Sequence, residues 1–329
     1  MTEMAAGLAS PVDPHADDGP ALSCRGLMKS YGDRRVVDDV SITIARGETY
    51  GLLGPNGAGK TTTISMVCGL LTRDAGEVEI AGRRLDREHP EVKALIGLVP
   101  QDIALYPDLT ARENLVFFGR LQRMSKRHLA ARIAEVLDII GLADRADERI
   151  ESYSGGMRRR CNIGAGLLHE PELLILDEPT VGVDPQSRNA ILESIEVLGG
   201  QGLSVLYTTH YMEEADRLCD RVGIIDEGRL VAEGTRRELI DRVGEHAHIR
   251  LTGTGPLDDL AARCAALAGV SSATAQADGI ELLVASAREA LVPVVEAADA
   301  AHVTVTSVDV VEPDLETVFL HLTGKALRD

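Results

Sequence analysis

The chain has 329 residues, of which 44% are hydrophobic and 26% charged, and its formal net charge is −18. These fractions exclude a wholly disordered or fibrous chain, and the length allows one large domain with a small one appended. Nucleic-acid binding depends on Lys and Arg contacts with phosphate, so the acidic charge argues against a nucleic-acid partner. The five cysteines are widely spaced and contain no Cys-x-x-Cys pair, which favours reduced thiols over disulfides or a thiolate zinc site.

Residues 1–20 combine several acidic residues with neither a basic start nor an apolar centre, so we predict a disordered tail and not a secretory signal. No stretch of the chain approaches the roughly 18 to 20 apolar residues that a membrane-spanning helix needs. If the protein acts in transport, another chain must therefore supply the path across the membrane.

The apolar pattern then predicts an α/β sheet interrupted by helices. Strand-like alternation begins between Ala21 and Ile44, and helical spacing dominates from about Asp102 to Leu168. Short apolar strands recur afterwards, at residues 173–176, 205–207 and 222–225. The composition changes near Gly244, which predicts a large domain over 21–243 and a small α+β accessory domain over 244–329.

A glycine-rich loop lies between a predicted strand and a predicted helix, and it fits the pattern G-x-x-x-x-G-K-[ST]. Backbone N–H groups in such a loop surround a phosphate at the positive end of a helix. Lys60 would neutralise β- and γ-phosphate oxygens, and the Thr61 hydroxyl would bind Mg²⁺. The predicted nucleotide contacts are Gly54, Pro55, Asn56, Gly57, Ala58, Gly59, Lys60, Thr61 and Thr62.

Two carboxylates, Asp177 and Glu178, follow an apolar strand at the edge of the predicted sheet. Asp177 is suited to hold Mg²⁺ and Glu178 to orient and deprotonate an attacking water. Adjacent acids after a strand are alone equally typical of an ordinary strand end. Together with the glycine-rich loop, they predict a site that binds and hydrolyses MgATP.

Ser154, Gly155 and Gly156 stand at a predicted helix start, where a hydroxyl and two N–H groups form a second anion-binding element. One nucleotide does not need two such elements. The segment Tyr153-Ser-Gly-Gly-Met157 resembles the signature sequence of ABC ATPases, usually Leu-Ser-Gly-Gly-Gln. That resemblance implies that it binds the γ-phosphate held by the opposite subunit of a homodimer.

Four further residues are similar to family positions in order and spacing. Gln101 resembles the Q-loop glutamine, Asp184 closes a D-loop, His210 resembles the switch histidine, and Tyr31 the aromatic residue that stacks on adenine. Taken alone, Gln101, His210 and Tyr31 are more typical of a polar turn residue, a satisfied histidine and a half-buried tyrosine. Their joint order and spacing favour the family positions instead.

The resemblance covers about residues 21–244 and implies a P-loop NTPase fold of the ABC type with an inserted helical subdomain at about 102–168. It implies catalytic roles for Glu178, His210, Gln101 and Lys60, and nucleotide contacts from Tyr31 and Asp184. It also implies Mg²⁺ ligation by Thr61, Gln101 and Asp177. Three residues differ from the usual family sequence, namely Tyr153 and Met157 in the signature and Val183 in the D-loop. None of them changes a group that would contact phosphate, so we expect hydrolysis.

The signature segment and the end of the chain, Glu312 to Leu320, resemble the daunorubicin/doxorubicin-resistance class of exporter ATPases. That class works with ABC type-2 permease subunits at the cytoplasmic face of the cell membrane and exports drugs, lipids or other amphiphiles. The candidates for contact with the permease are Leu105, Tyr106, Phe117 and Phe118, although the two phenylalanines are as typical of a helical core.

Two other functions remain open at this point. A soluble ABC ATPase that acts as a mechanical clamp in DNA repair or translation is opposed by the acidic charge and the lack of long coiled-coil heptads. A module that only senses ATP is opposed by Glu178 and His210. We interpret the run Arg158 to Arg160 as a solvated or subunit-facing surface, and His246-x-His248 as an improbable metal site.

Overall fold

The computed structural model describes residues 19–243, 247–311 and 314–324. Nearly all of the predicted tail, together with His246, therefore lies outside the described residues. The chain divides into two compact units, one ending at Val231 and one beginning at Ala232. This division falls earlier than residue 244, because the helix at Arg236–Val243 packs against the helix at Leu315–Thr323. The domain limits drawn from the sequence stay a prediction.

Ten strands and six α-helices precede residue 235 within the described part of the chain. The strands are β1 (Leu22–Tyr31), β2 (Arg34–Ile44), β3 (Thr49–Leu53), β4 (Ala75–Ile80), β5 (Arg83–Arg84), β6 (Ile96–Val99), β7 (Leu173–Asp177), β8 (Ser204–Thr209), β9 (Arg221–Asp226) and β10 (Arg229–Gly234). The helices are α1 (Lys60–Val67), α2 (Ala111–Leu121), α3 (Lys126–Ile139), α4 (Gly155–Leu167), α5 (Pro185–Gly200) and α6 (Met212–Leu218).

The central sheet has six strands in the order β10-β9-β3-β8-β7-β6. The five strands from β9 to β6 are parallel, and β7 is buried along its whole length, as expected of a strand covered on both faces. Their carboxyl ends meet at one edge, where Leu53 pairs with Thr209 and Asp177 with Thr208. Ligands of open parallel sheets bind at such an edge. A smaller antiparallel sheet has the order β2-β1-β4-β5.

The inserted helical subdomain lies between β6 and β7, two neighbouring strands of the central sheet. It comprises α2, α3 and α4. Thr110 begins α2 with a capping box that includes Glu113, and Gly141 follows the end of α3 with a φ of +61°. The subdomain is therefore a helical insertion between two strands of one sheet, as the sequence predicts.

Two details of this subdomain differ from the sequence-based predictions. Arg159 is buried and donates hydrogen bonds to the carbonyl oxygens of Pro100 and Gln101, and Arg160 donates to that of Ile140 at 2.8 Å. The prediction of a solvated or subunit-facing arginine run was therefore wrong for Arg159, whereas Arg160 is half-buried. Leu105, expected in a docking groove, instead belongs to the buried core.

The second unit has the helices α7 (Arg236–Val243), α8 (Leu257–Ala265), α9 (Ala287–Ala300) and α10 (Leu315–Thr323), and the strands β11 (Ala247–Thr254), β12 (Val270–Gln276), β13 (Gly279–Val284) and β14 (Thr304–Val311). The strands form an antiparallel sheet in the order β12-β13-β11-β14. From β11 to β14 the chain follows the βαββαβ order of ferredoxin-like folds. This is the α+β arrangement expected from the sequence.

Among the described residues, no helix has both the length and the apolar character needed to cross a membrane. Within the same ranges, no cluster of three or more His, Cys, Asp or Glu side chains is arranged to hold a metal ion. His248 lies 3.7 Å from Glu281 Oε1 on the neighbouring strand.

Candidate functional site

The glycine-rich loop from Gly54 to Gly59 joins β3 to α1, and its glycines are required by close approaches. A Cβ on Gly54 would lie 2.2 Å from the carbonyl oxygen of Ile225, and one on Gly59 would lie 2.8 Å from that of Val36. Gly57 and Gly59 have φ values of +83° and +105°, in the region that favours glycine. The loop can therefore present its N–H groups to an anion at the start of α1.

A cavity of about 480 Å³ opens over this loop. It is lined by Arg34, Val36, Asn56, Gly57, Gly59, Lys60, Thr61, Thr62, Gln101, Glu178, Val181 and His210. The structure thus brings six of the nine predicted loop residues together with Gln101, Glu178 and His210, while Gly54, Pro55 and Ala58 are not among the lining residues. Arg34 and Val36 are lining residues that sequence reasoning missed, although their position at the start of β2, just after Tyr31, was a signal.

Lys60, Glu178 and His210 form the charged centre of the cavity. Lys60 Nζ lies 2.9 Å from Glu178 Oε1 and donates to the carbonyl oxygens of Gly54 at 2.6 Å and Pro55 at 3.1 Å. His210 Nδ1 lies 3.5 Å from Glu178 Oε1 and has no hydrogen-bond partner in the described part of the chain. A buried imidazole nitrogen without a partner is available to a ligand.

The backbone at Glu178 is strained. Its φ is +45°, which is rare for a residue with a side chain, and its N–H donates to Thr208 Oγ1 at 3.0 Å. Such strain persists only where the surroundings impose it, and it is concentrated at functional sites. Thr208, which the sequence did not indicate, therefore helps to aim the Glu178 carboxylate into the cavity.

Asp177 lies buried behind the loop, next to Thr61. Its Oδ1 accepts from Thr208 Oγ1 at 2.8 Å, and its carboxylate is also hydrogen-bonded to the Thr61 hydroxyl. Burial raises the pKa of Asp177 and the Glu178 charge adds to this rise, while the two hydroxyl groups and Lys60 oppose it. The buried Asp177 carboxylate and the Thr61 hydroxyl offer hard oxygen ligands of the kind that Mg²⁺ prefers. A cation bound there would favour the ionised form of Asp177.

Ser154, Gly155 and Gly156 begin helix α4, as predicted. Ser154 Oγ caps the helix by accepting from the N–H of Met157 at 3.2 Å. Ser154 and Gly155 are exposed, and none of the three is among the described residues that line the cavity. One chain thus carries two separate phosphate-suited elements.

Asp184 and Tyr31 also lie outside the lining of that cavity. Asp184 caps helix α5 by accepting from the N–H of Ser187 at 3.0 Å, and this hydrogen bond lowers the pKa of Asp184. Tyr31 ends β1 and is 54% exposed, and Lys29 Nζ lies over its ring, 5.7 Å from the centroid. The roles of both residues stay predictions.

The parallel sheet, the glycine-rich loop and the acidic strand end together define a nucleotide-binding P-loop ATPase. Residues 37–181 match the family described as "ABC transporter". Together with the curated relatives described next, this match shows that the chain belongs to the ATP-binding proteins of ABC transporters and hydrolyses ATP, which agrees with the family resemblance of its motifs.

Curated relatives match along nearly the whole chain. The "Linearmycin resistance ATP-binding protein LnrL" of Bacillus subtilis (strain 168) is 46% identical, over 94% of this chain and 100% of that protein. The "Daunorubicin resistance ATP-binding protein DrrA3" of Streptomyces coeruleorubidus is 41% identical, over 94% of this chain and 97% of that protein. The "Nod factor export ATP-binding protein I" of Ralstonia nicotianae (strain ATCC BAA-1114 / GMI1000) is 39% identical, over 97% and 98%.

A solved structure described as "Structure of ATP binding subunit of ABC transporter" is similar to this chain. It is 32% identical with a TM-score of 0.62, and the match covers 68% of this chain and 93% of that one. These proteins are named for drug resistance, for export or for an ABC transporter, so a clamp in DNA repair or translation is not favoured.

Proposed function

We propose that two copies of this chain close head to tail around two MgATP and drive a separate membrane permease. The observation that carries this proposal is that Ser154 and its neighbouring glycines form a phosphate-suited helix start outside the cavity of their own chain. A second copy, turned by a twofold axis, would bring that helix start to the γ-phosphate. Each site then needs both chains.

The roles of the cavity residues follow from their contacts. Lys60 is paired with Glu178, and we propose that a γ-phosphate competes for Lys60 and so frees the Glu178 carboxylate to accept a proton from water. His210 Nδ1 would then donate to the phosphate, and Gln101 would orient the water or the cation. Thr61 and Asp177 would hold Mg²⁺, which supplies charge neutralisation at the phosphates.

We propose that the partner is an ABC type-2 permease and that the chain is peripheral to it, at the cytoplasmic face of the cell membrane. Tyr106 and Phe117 are the contact candidates. They are 47% and 40% exposed, and their ring centroids lie 4.8 Å apart in an edge-to-face pair. Phe118 packs against the core and contributes less surface.

Export of drugs, lipids or other amphiphiles is the transport function we propose. It is supported by the relatives named for linearmycin resistance, daunorubicin resistance and Nod factor export, which match 94% or more of this chain. Co-purification of the chain with a six-helix membrane protein is the direct check. Specific retention on ribosomes or DNA at physiological salt would contradict the proposal.

Glu178→Gln tests the two-copy site. This variant keeps the shape of the side chain and removes its capacity to accept a proton, so ATP should stay bound between two chains. Size-exclusion chromatography with MgATP should show a dimer for Glu178→Gln, and the hydrolysis rate should fall about 100-fold or more. Glu91→Gln is the matched control, because Glu91 is exposed and is not among the described residues that line the cavity. Normal hydrolysis by Glu178→Gln, or a monomer with ATP bound, contradicts the proposal.

A further inference from the structure

Glu214, near the start of α6, is a fully buried carboxylate that the proposed chemistry does not use. It is only 1% exposed. Oε1 accepts from Thr180 Oγ1 at 2.6 Å and from Arg188 Nε at 2.7 Å. Oε2 accepts from Tyr207 OH at 2.7 Å and from Thr209 Oγ1 at 2.6 Å. A buried charge is costly unless it is paired and hydrogen-bonded, and this one receives four donors.

One of these donors holds the segment that carries His210. Thr209 immediately precedes His210, and its Oγ1 donates to Glu214 while accepting from the N–H of Tyr211 at 2.9 Å. The residues on both sides of His210 are therefore fixed through one hydroxyl. Since that hydroxyl is oriented by Glu214, the position of the imidazole depends on the carboxylate.

Another donor holds the segment that follows Glu178. Thr180 lies two residues after Glu178 and immediately before Val181, which lines the cavity. Thr180 is buried, and its hydroxyl bonds to Glu214 at 2.6 Å. The same carboxylate thus ties together the two segments that carry Glu178 and His210.

Arg188, the charged donor to Glu214, links the carboxylate to helix α5 as well. Arg188 lies in the first turn of α5, and its guanidinium lies 4.3 Å from the ring centroid of Tyr211. The adjacent Ser187 packs so closely on Gly156 that a Cβ on Gly156 would lie 2.1 Å from that of Ser187. The start of α5 is therefore fixed to Glu214 on one side and contacts the signature segment on the other.

We propose that Glu214 is a positioning residue that holds the Glu178 segment, the His210 segment and the start of α5 in one catalytic arrangement. The inference rests on the roles proposed for Glu178 and His210. Glu214 does not line the cavity within the described part of the chain, so it acts through Thr209, Thr180 and Arg188.

Glu214→Gln, made in the full chain, is the main test. Glutamine has nearly the same shape, but it leaves Arg188 without its buried counter-charge and replaces one acceptor oxygen with a donor. We expect kcat to fall about 10- to 100-fold, because small displacements of catalytic groups are costly, while ATP affinity stays within about threefold. Glu91→Gln removes an equal charge from an exposed side chain outside this network and should keep kcat.

Thr180→Val and Thr209→Val each remove one hydroxyl that donates to the Glu214 carboxylate. These two variants test the inference if Glu214→Gln does not fold. Each should lower kcat, and combining either with Glu214→Gln should add little, since they act through the same group. Unchanged kcat in both threonine variants, or in folded Glu214→Gln, overturns the inference. So does a loss of thermal stability in Glu214→Gln with unchanged kcat.

The result also separates this inference from the roles on which it rests. If Glu178→Gln is inactive while Glu214→Gln retains its kcat, only the positioning role of Glu214 fails. If Glu178→Gln hydrolyses ATP normally, the assignment of the catalytic base fails first.

Discussion

Lys60 and Glu178 form a buried ion pair, with Nζ and Oε1 2.9 Å apart, and the two side chains are 5% and 8% exposed. Each charge compensates the other where water is largely excluded. The loop carbonyls of Gly54 and Pro55 complete the hydrogen bonding of Lys60. A phosphate that enters the cavity therefore competes for a lysine that is already held in place.

Lys60→Ala should lose tight nucleotide binding. The substitution deletes a charge-assisted contact worth roughly 1.5 to 3 kcal/mol, which corresponds to an affinity about 10- to 150-fold weaker. Titration with a fluorescent ATP analogue measures this loss on the folded protein. Lys126→Ala, which changes an exposed lysine, is the control and should bind normally. Near-native affinity in Lys60→Ala contradicts our assignment of the loop.

Asp177→Asn should stabilise the nucleotide-free chain. Burial raises the pKa of Asp177, so the folded chain keeps a proton on this group at pH values where the unfolded chain has released it. The contribution of Asp177 to the free energy of unfolding therefore falls as the pH rises from the ordinary pKa through the raised one, and it remains lost above both. Asparagine removes that cost and can still accept from Thr208.

Denaturant unfolding at several pH values measures this effect. The advantage of Asp177→Asn should be largest at neutral pH and shrink as the pH approaches the ordinary pKa of Asp, where both states are protonated. Mg²⁺-dependent hydrolysis should be lost at the same time. Asp108→Asn, at an exposed site, should change neither property. A destabilised Asp177→Asn across the whole pH range is the contrary result.

The sequence was sufficient to predict how the charged centre assembles. Lys60, Glu178 and His210 follow the ends of three apolar strands, and parallel strands bring such ends to one edge of a sheet. The connection through Glu214 was not predictable, because its four donors come from three separate segments that meet only through tertiary packing. The sequence also does not indicate which arginine of the run Arg158 to Arg160 is buried.

The contrast between Arg158 and Arg159 is testable. Arg159 is 6% exposed and donates to the carbonyl oxygens of Pro100 and Gln101, whereas Arg158 is exposed. Arg159→Met leaves two carbonyl oxygens without their donor and should lower the free energy of unfolding by about 1 to 3 kcal/mol. Arg158→Met should stay within about 0.5 kcal/mol of the parent chain. Equal unfolding midpoints for the two variants would show that the inward contact does not stabilise the fold.

Gly156→Ala and Gly155→Ala compare a packed glycine with an exposed one in the signature segment. An added methyl group on Gly156 would lie 2.1 Å from the Cβ of Ser187, whereas one on Gly155 meets nothing within 4 Å. Gly156→Ala should therefore push α5 away from α4 and lower the free energy of unfolding by about 1 to 3 kcal/mol. Gly155→Ala, in the first turn of α4, should be unchanged or slightly more stable, because alanine favours a helix over glycine. Chemical denaturation of both variants without nucleotide measures the difference, and a Gly156→Ala variant as stable as Gly155→Ala would mean that the contact with Ser187 is not a close one.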